Sequence, residues 1–231
     1  PINLYQFGLP IAQEARVVAR GAKNKGFTDA IVLKGNTALD ARSSEAFINE
    51  WTQFHLSIRD AFPVQDLKSI EQLATNALPR HTLVFVAADF QSALPAIKLM
   101  PENWTLFGTS ALNTDSSEVT QLSRNQKIYF VDAPYVAGEN TATKTTAMPA
   151  KPDVVFARLY ALGVDVYRFS MLLMHDELRF NRPLLNGETG KLSVTRGGSV
   201  ERDLPLLSLQ HASLASYHAD DIAKLTSPNG K

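Results

Sequence analysis

The chain has 231 residues, of which 45% are hydrophobic and 20% charged, so it can bury a sizeable core and is not a mostly disordered chain. Its 23 Lys and Arg balance its 23 Asp and Glu, so no global field would hold nucleic acid or an anionic membrane, and only a local patch could do so. The lack of cysteine excludes thiol catalysis, disulfides, zinc–thiolate sites and iron–sulfur clusters. No apolar run reaches the roughly 18 residues that a membrane-spanning helix needs.

The chain opens at Pro1 without a Met, a basic segment or an apolar leader. We therefore expect a mature or excised segment, whose export or lipid signal would have been lost with the missing part.

Short apolar runs recur about every 20 to 28 residues, which is the length of one βα unit. Helical patterns lie between them, and Gly26 is placed to end the first helix. This alternation predicts an α/β fold with a doubly wound, mostly parallel sheet covered on both faces. The predicted strands are Leu4–Phe7, Ala30–Leu33, Leu56–Phe62, Thr82–Ala88, Thr105–Gly108 and Ile128–Val131.

Residues 137–152 are small, polar and proline-containing, and they predict a long surface connection. The longest helix is then predicted over Asp153–Arg179, with Gly163 packed closely against a neighbour. Its apolar stripe is predicted to be Val155, Leu159, Leu162, Val166, Ser170 and Leu173. Because the later half of this helix is apolar nearly all round, the chain would either self-associate through it or fold it back over the sheet.

A β-hairpin is predicted from Leu192 to Leu204, with Gly197 and Gly198 supplying the positive φ angles of a two-residue turn. The last segment, Ala219 to Lys231, has few apolar residues and is predicted to be a tail that is either mobile or ordered by crystal packing.

Catalytic patterns are missing from the sequence. It contains no G-x-S-x-G elbow, no G-x-G-x-x-G fingerprint and no P-loop, and its five histidines show no metal-ligand spacing. We therefore expect no enzymatic activity, no cofactor and no metal. An α/β enzyme is the least favoured of the three functions that we consider for this chain.

The predicted strand ends offer hydroxyl, amide and charged groups, and ligands of open α/β sheets bind outside the carboxyl ends of the strands. The alternative is that these loops are polar only because loops face water. The candidate cleft residues are Gly8, Leu9, Lys34, Asn36, Thr37, Asp89, Gln91, Ser92, Thr109, Ser110 and Asp132.

A row of basic residues, Arg16, Arg20 and Lys23, lies on one face of the first predicted helix. It is either a solvated face or a surface for an acidic partner or the anionic cell-wall polymer.

Four segments carry a resemblance to a known family. They are Tyr5-Gln6-Phe7-Gly8-Leu9 with Glu14-Ala15-Arg16, Asp132-Ala133-Pro134-Tyr135, Arg158 to Tyr167, and Leu185 to Ser193 with Arg202-Asp203-Leu204-Pro205. Together and in this order they resemble the LppC/LpoA family, lipoprotein activators of penicillin-binding proteins.

The resemblance implies a periplasmic-binding-protein type I fold, in which two α/β lobes are joined by crossings around a cleft. The first lobe would be largely missing from this chain. The expected division is a lobe at 1–136, a linker at 137–152, a crossing helix at 153–182, a hairpin returning to the lobe at 183–218 and a tail at 219–231.

The same resemblance implies a non-enzymatic regulator of peptidoglycan synthesis that activates a class A penicillin-binding protein from the periplasmic side of the outer membrane. The membrane would be reached only through a lipid anchor outside this chain, and contact with peptidoglycan itself is left open. The alternative is a solute-binding or receptor domain that closes on a small ligand. No catalytic position is carried over.

Overall fold

The computed structural model describes residues 4–114, 116–137, 153–175 and 177–208. One sheet contains the strands β1 (Asp29–Lys34), β2 (Ser57–Pro63), β3 (Thr82–Ala87), β4 (Thr105–Gly108), β5 (Lys127–Val131) and β9 (Leu206–Ser208). Their order in the sheet is β2-β1-β3-β4-β5-β9, and the first five are parallel. Only β9 runs antiparallel to its neighbour, β5. The predicted doubly wound, mostly parallel sheet is confirmed.

Five helices cover this sheet: α1 (Ile11–Asn24), α2 (Ala38–Gln53), α3 (Leu67–Ala74), α4 (Phe90–Lys98) and α5 (Ser117–Asn125). Successive residues of β1 belong to two different hydrophobic cores, because successive side chains of a strand point to opposite faces of the sheet. Val32 joins the core under α1 and α2, where Phe47 stacks on Phe85 with ring centroids 4.0 Å apart. Ile31 joins the core under α3 and α4. Burial on both faces explains the continuous apolar runs of the central strands.

Gly26 ends α1 as predicted. Its φ of +88° is a left-handed conformation that glycine adopts without a steric penalty, and its N–H bonds to the carbonyl of Lys23.

The predicted first strand, Leu4–Phe7, is wrong. The structure has only an isolated bridge between Gln6 and Ser199 at this point, and the segment belongs to neither sheet. Tyr5 and Phe7 instead pack edge-on against Phe169, with ring centroids 5.6 and 5.5 Å away. Both rings are partly buried against a cluster that also contains Leu192, Val194 and Val200.

The long helix α6 spans Val154–Met174 and ends at the cap His175, earlier than the predicted Arg179. Its inward residues are Val154, Ala157, Ala161, Asp165 and Phe169. The predicted apolar stripe therefore faces outward: Val155 is 60% exposed and Leu159 58% exposed. The helix is apolar on most sides, so its register is set by Asp165, a charge that must be buried against hydrogen-bond donors.

The predicted close packing of Gly163 is also wrong. This residue is exposed, and a Cβ added to it would meet no atom within 4 Å. It lies outside the buried face of α6.

A second, three-stranded sheet contains β6 (Pro183–Gly187), β7 (Gly190–Val194) and β8 (Val200–Asp203) in that order. The predicted hairpin is present as β7 and β8, but its turn runs from Thr195 to Ser199 and only Gly198 has a positive φ, +80°. A three-residue loop with one left-handed glycine at its end has this geometry.

Most of the predicted connection 137–152, and the tail 219–231, lie outside the described residues. The division of the chain into lobe, linker and crossing elements stays a prediction. Among the residues that the structure describes, no helix combines the length and hydrophobicity needed to cross a bilayer.

Candidate functional site

The carboxyl ends of β1, β3, β4 and β5 lie side by side at one edge of the parallel sheet, where the sequence predicts ligand contacts. Gly8 and Leu9 precede α1 and approach this edge beside β5, because Leu9 and Asp132 line one small cavity. The predicted residues differ in burial: Gly8, Lys34 and Ser110 are half-buried, Leu9, Asn36, Thr37, Asp89, Gln91 and Ser92 are exposed, and Thr109 and Asp132 are buried.

Three of these side chains cap helices. Thr37 and Asp40 form a reciprocal capping box at the start of α2, with N–O distances of 3.1 and 3.0 Å. Asp89 accepts a 3.0 Å bond from the N–H of Ser92 at the start of α4, and Thr109 caps the short 3-10 helix that follows it. Burial raises the pKa of Asp89, but the hydrogen bonds from Ser92 outweigh it and hold the pKa below its ordinary value.

Asp132 is held at the end of β5 by four hydrogen bonds. Arg158 of α6 donates two in a forked arrangement, from Nε to Oδ1 at 2.9 Å and from Nη2 to Oδ2 at 2.6 Å. The side chain of Asn113 donates to Oδ2 at 2.8 Å, and the N–H of Ala133 donates to Oδ1 at 2.8 Å. A carboxylate has about four acceptor positions, so Asp132 has little capacity left for a ligand.

Arg158 also reaches the loop that follows β4. Its Nη2 donates to the carbonyl of Ser110 at 2.8 Å and to that of Asn113 at 3.1 Å. One guanidinium therefore ties α6 to the ends of two neighbouring strands. We name Glu14, Ser110, Asn113, Asp132 and Arg158 the Asp132 cluster.

Glu14 brings α1 into this cluster. Its Oε2 accepts a 2.9 Å bond from the N–H of Ser110, and the side chain is buried. Burial raises the pKa of Glu14 to about 7; the bond from Ser110 and the charge of Arg158 oppose the shift, while the charge of Asp132 adds to it.

A second group of polar side chains fastens the second sheet to α6. Asp165 is fully buried and accepts bonds from the N–H of Glu188 at 2.8 Å, the N–H of Thr189 at 2.7 Å and the hydroxyl of Thr189 at 2.6 Å. Gly187 precedes these donors, and any Cβ on it would collide with the Asp165 carboxylate. The G-E-T-G turn between β6 and β7 is thus shaped around one carboxylate.

Arg202 of β8 completes this group, which we name the Asp165 cluster (Asp165, Glu188, Thr189 and Arg202). Its Nε donates to the Thr189 hydroxyl at 3.0 Å. Burial lowers the pKa of Arg202 to about 10, although the charges of Asp165 and Glu14 oppose that shift. The N–H of Tyr135 donates to the carbonyl of Glu188 at 3.1 Å, which links the end of β5 to the same turn.

A cavity of about 20 Å³ lies between the two clusters, with Leu9, Glu14, Asp132, Arg158, Thr189 and Arg202 in its walls. This volume holds about one water molecule and no solute. The strand edge at β5 is therefore filled by the protein's own side chains.

A larger groove of about 660 Å³ lies between α1 and the second sheet. We name it the α1–β8 groove. Its cationic side chains are Arg16, Arg20, Arg182, Lys191 and Arg202, and its carboxylates are Glu201 and Asp203. Two residues of the predicted basic row line it. The third, Lys23, instead has its Nζ 3.9 Å from the ring centroid of Phe54.

Sequence reasoning missed Glu14, Arg158, Asp165, Thr189 and Arg202 as site residues. Each lies in a segment that carries the family resemblance, but none follows a predicted strand end. A usable signal was present in α6, where Arg158 and Asp165 interrupt a helix that is otherwise largely apolar. Charges inside such a pattern are buried only when they are paired.

Among the described residues, no three His, Asp or Glu side chains come together as a set of metal ligands. Glu14, Asp132 and Asp165 each accept hydrogen bonds from N–H or guanidinium donors instead. These polar side chains connect helices and strands to one another.

A family model described as "LppC putative lipoprotein" matches residues 1–212 of the chain. The penicillin-binding protein activator LpoA of Haemophilus ducreyi is 24% identical over 225 residues, which cover 92% of this chain. The chain spans only 38% of the length of that relative.

Solved structures share the fold. The C-domain of LpoA from Haemophilus influenzae, described as a regulator of PBP1A, superposes with a TM-score of 0.72 at 20% identity, covering 91% of this chain and 68% of that one. A "putative branched-chain amino acid ABC transporter" from Chromobacterium violaceum gives a TM-score of 0.74 at 27% identity, covering 88% of this chain and 67% of that one.

Proposed function

This chain belongs to the LppC lipoprotein family, and on that premise we propose that it is a non-enzymatic regulator of peptidoglycan synthesis. It binds a class A penicillin-binding protein and activates it. The full protein acts as an outer-membrane lipoprotein on the periplasmic side.

The observation that carries this proposal is the family match over residues 1–212, together with a curated relative named as a penicillin-binding protein activator. The fold agrees with it, since the C-domain of such an activator superposes over 91% of this chain. Both polar clusters support a binding role, because their side chains hold secondary-structure elements in place.

Activation follows from differential affinity. A regulator that binds the active conformation of a synthase more tightly than the inactive one shifts the population toward it, and the shift cannot exceed that difference in affinity. The regulator itself does not need to catalyse any reaction. Arg16, Arg20 and Lys23 are the proposed contact surface, and an acidic surface on the synthase would complement them.

A reconstituted synthesis assay tests the proposal. The chain is added to a class A penicillin-binding protein and lipid-linked substrate, and glycan polymerisation and peptide crosslinking are measured with and without it. We expect a several-fold faster reaction and a complex that can be captured on beads. The triple change Arg16→Glu, Arg20→Glu, Lys23→Glu should abolish both effects.

Charge reversal at exposed basic positions elsewhere, Arg42→Glu with Arg80→Glu, is the matched control and should leave activation intact. A folded chain that neither binds nor accelerates any class A synthase at micromolar concentration would refute the proposal.

The second candidate function is binding of a small solute. It is favoured by the 27% identity to the transporter-related structure from Chromobacterium violaceum. The geometry of the predicted cleft residues argues against solute binding. Thr37, Asp89 and Thr109 cap helices, and Asp132 already accepts four hydrogen bonds.

Thermal unfolding with added leucine, isoleucine or valine separates the two functions. A ligand present at 100 times its Kd stabilises a protein by about 2.7 kcal/mol, which is several degrees in Tm for a small domain. We expect no shift. A clear shift with one of these amino acids would favour the solute-binding function.

A further inference from the structure

We propose that the α1–β8 groove binds a short acidic peptide. The chain as a whole has no net charge, yet five cationic side chains and only two carboxylates line this one groove. Such a local excess is what attracts a carboxylate-bearing ligand to a protein that has no global field.

Much of this positive charge is not neutralised by the protein itself. Arg20 pairs with Glu50 at 3.0 Å. Arg16, Arg182 and Lys191 form no ion pair with any residue that the structure describes. Arginine guanidinium groups suit carboxylates in particular, because two parallel N–H···O bonds can form between them.

Two residues that line the groove each carry a buried polar atom with no hydrogen-bond partner among the described residues. The atoms are Oε1 of Gln13 and Nη2 of Arg202, whose residues are only 6% and 5% exposed. Buried polar groups in folded proteins are almost always paired, so such orphan groups call for an explanation. One orphan accepts and the other donates, and both residues also line the cavity of about 20 Å³. Both side chains must turn toward the groove before a peptide unit can supply the complementary N–H and carbonyl.

The volume of the groove and the two carboxylates that line it favour a peptide over a nucleic acid or another polyphosphate. A volume of about 660 Å³ lies within the range of small-molecule sites, roughly 300–1,000 Å³. Glu201 and Asp203 would repel a nucleic acid or another polyphosphate, which carries negative charge along its whole length. A peptide avoids this conflict, because its carboxylates can lie at the arginines and its amino terminus can lie near the two acids.

Isothermal titration calorimetry of the whole chain with the peptide Glu-Glu-Glu tests the proposal at low salt. We expect measurable binding that weakens as salt is added, and no binding of Lys-Lys-Lys or Gly-Gly-Gly. The double change Arg182→Ala, Lys191→Ala should weaken binding at least tenfold. Both residues are exposed, so the circular dichroism spectrum should not change. Arg42→Ala on α2, outside the groove, is the matched control and should keep the original affinity.

A second variant probes the orphan acceptor. Gln13→Met keeps the size of the side chain but removes the amide, so it should weaken Glu-Glu-Glu binding several-fold without lowering Tm. A merely structural role of Gln13 would lower Tm and leave the affinity unchanged. Binding that the double variant retains in full, or inorganic phosphate binding as tightly as Glu-Glu-Glu, would overturn the proposal. None of these outcomes depends on synthase activation.

Discussion

Asp132 at the end of β5 and Arg158 in α6 face each other through two parallel hydrogen bonds, 2.9 and 2.6 Å long. The Asp132 side chain is 1% exposed and that of Arg158 is 18% exposed, so the pair lies almost out of solvent. This fork is the main polar fastening between the long helix and the parallel sheet, and its loss would leave a charge stranded in the interior.

Replacement of Arg158 by Met should therefore destabilise the chain strongly. Asp132 would keep its burial and lose its counter-charge, which costs about 3–5 kcal/mol. Urea denaturation measures the free energy of unfolding of both proteins. Arg20→Met is the control, because Arg20 is half exposed and its pair with Glu50 is worth about 0–1 kcal/mol. Equal losses in the two variants would contradict the role given to Arg158.

Stability should fall as the pH rises from about 4.5 to about 7. Burial raises the pKa of Glu14 from 4.5 to about 7, so the folded state binds a proton that the unfolded chain releases over this interval. Protonated Glu14 therefore makes its full contribution to the free energy of unfolding below pH 4.5, and this contribution is lost above pH 7. A shift of this size corresponds to roughly 3 kcal/mol. Urea denaturation at a series of pH values measures the slope.

Glu14→Gln is the variant that isolates this effect. An amide can still accept the bond from the N–H of Ser110 and carries no charge to bury. Its stability should match that of the unchanged chain near pH 4.5 and exceed it at pH 8. A pH slope that persists in the variant would assign the effect to another group.

Two glycines should respond to alanine in opposite directions. At Gly187 the added Cβ would lie 2.8 Å from Oδ1 of Asp165 and disturb the carboxylate that holds the G-E-T-G turn, so a loss of about 1–3 kcal/mol is expected. Gly163 lies in the interior of α6 with open space around it, so Ala should stabilise the helix by about 0.5–1 kcal/mol. The Tm of each variant is measured by calorimetry. A rise in Tm for Gly187→Ala would show that Asp165 tolerates displacement.

The outer face of α6 should make the chain self-associate. Val155, Phe156, Leu159 and Tyr167 are each more than half exposed on this one helix. A contiguous apolar surface of this kind usually marks a contact site. Light scattering after size exclusion should show a dimer that dissociates on dilution. Phe156→Ser with Leu159→Ser should shift the equilibrium to the monomer, and Arg42→Ser should not; a monomer at high concentration, with no binding of a hydrophobic dye, would disprove the prediction.

The α/β fold could be predicted from the sequence because its signals are local. The apolar runs of β1, β3 and β5 and the stop at Gly26 are set by neighbouring residues, and continuous apolar strands with helices between them pack as a covered parallel sheet. The strand ends could be named for the same reason. What those polar residues do was not predictable: Thr37 and Asp89 serve their own helices.

Only the tertiary structure decided which charged groups meet. Glu14, Ser110 and Arg158 lie far apart along the chain, and they come together because α1, the end of β4 and α6 pack at one point. The register of α6 was undecided in the sequence, since a helix that is apolar on most sides offers several faces of similar hydrophobicity. The buried carboxylate of Asp165 selects one of these faces. A buried charge needs hydrogen-bond donors, and the G-E-T-G turn supplies them at only one rotation of the helix about its axis.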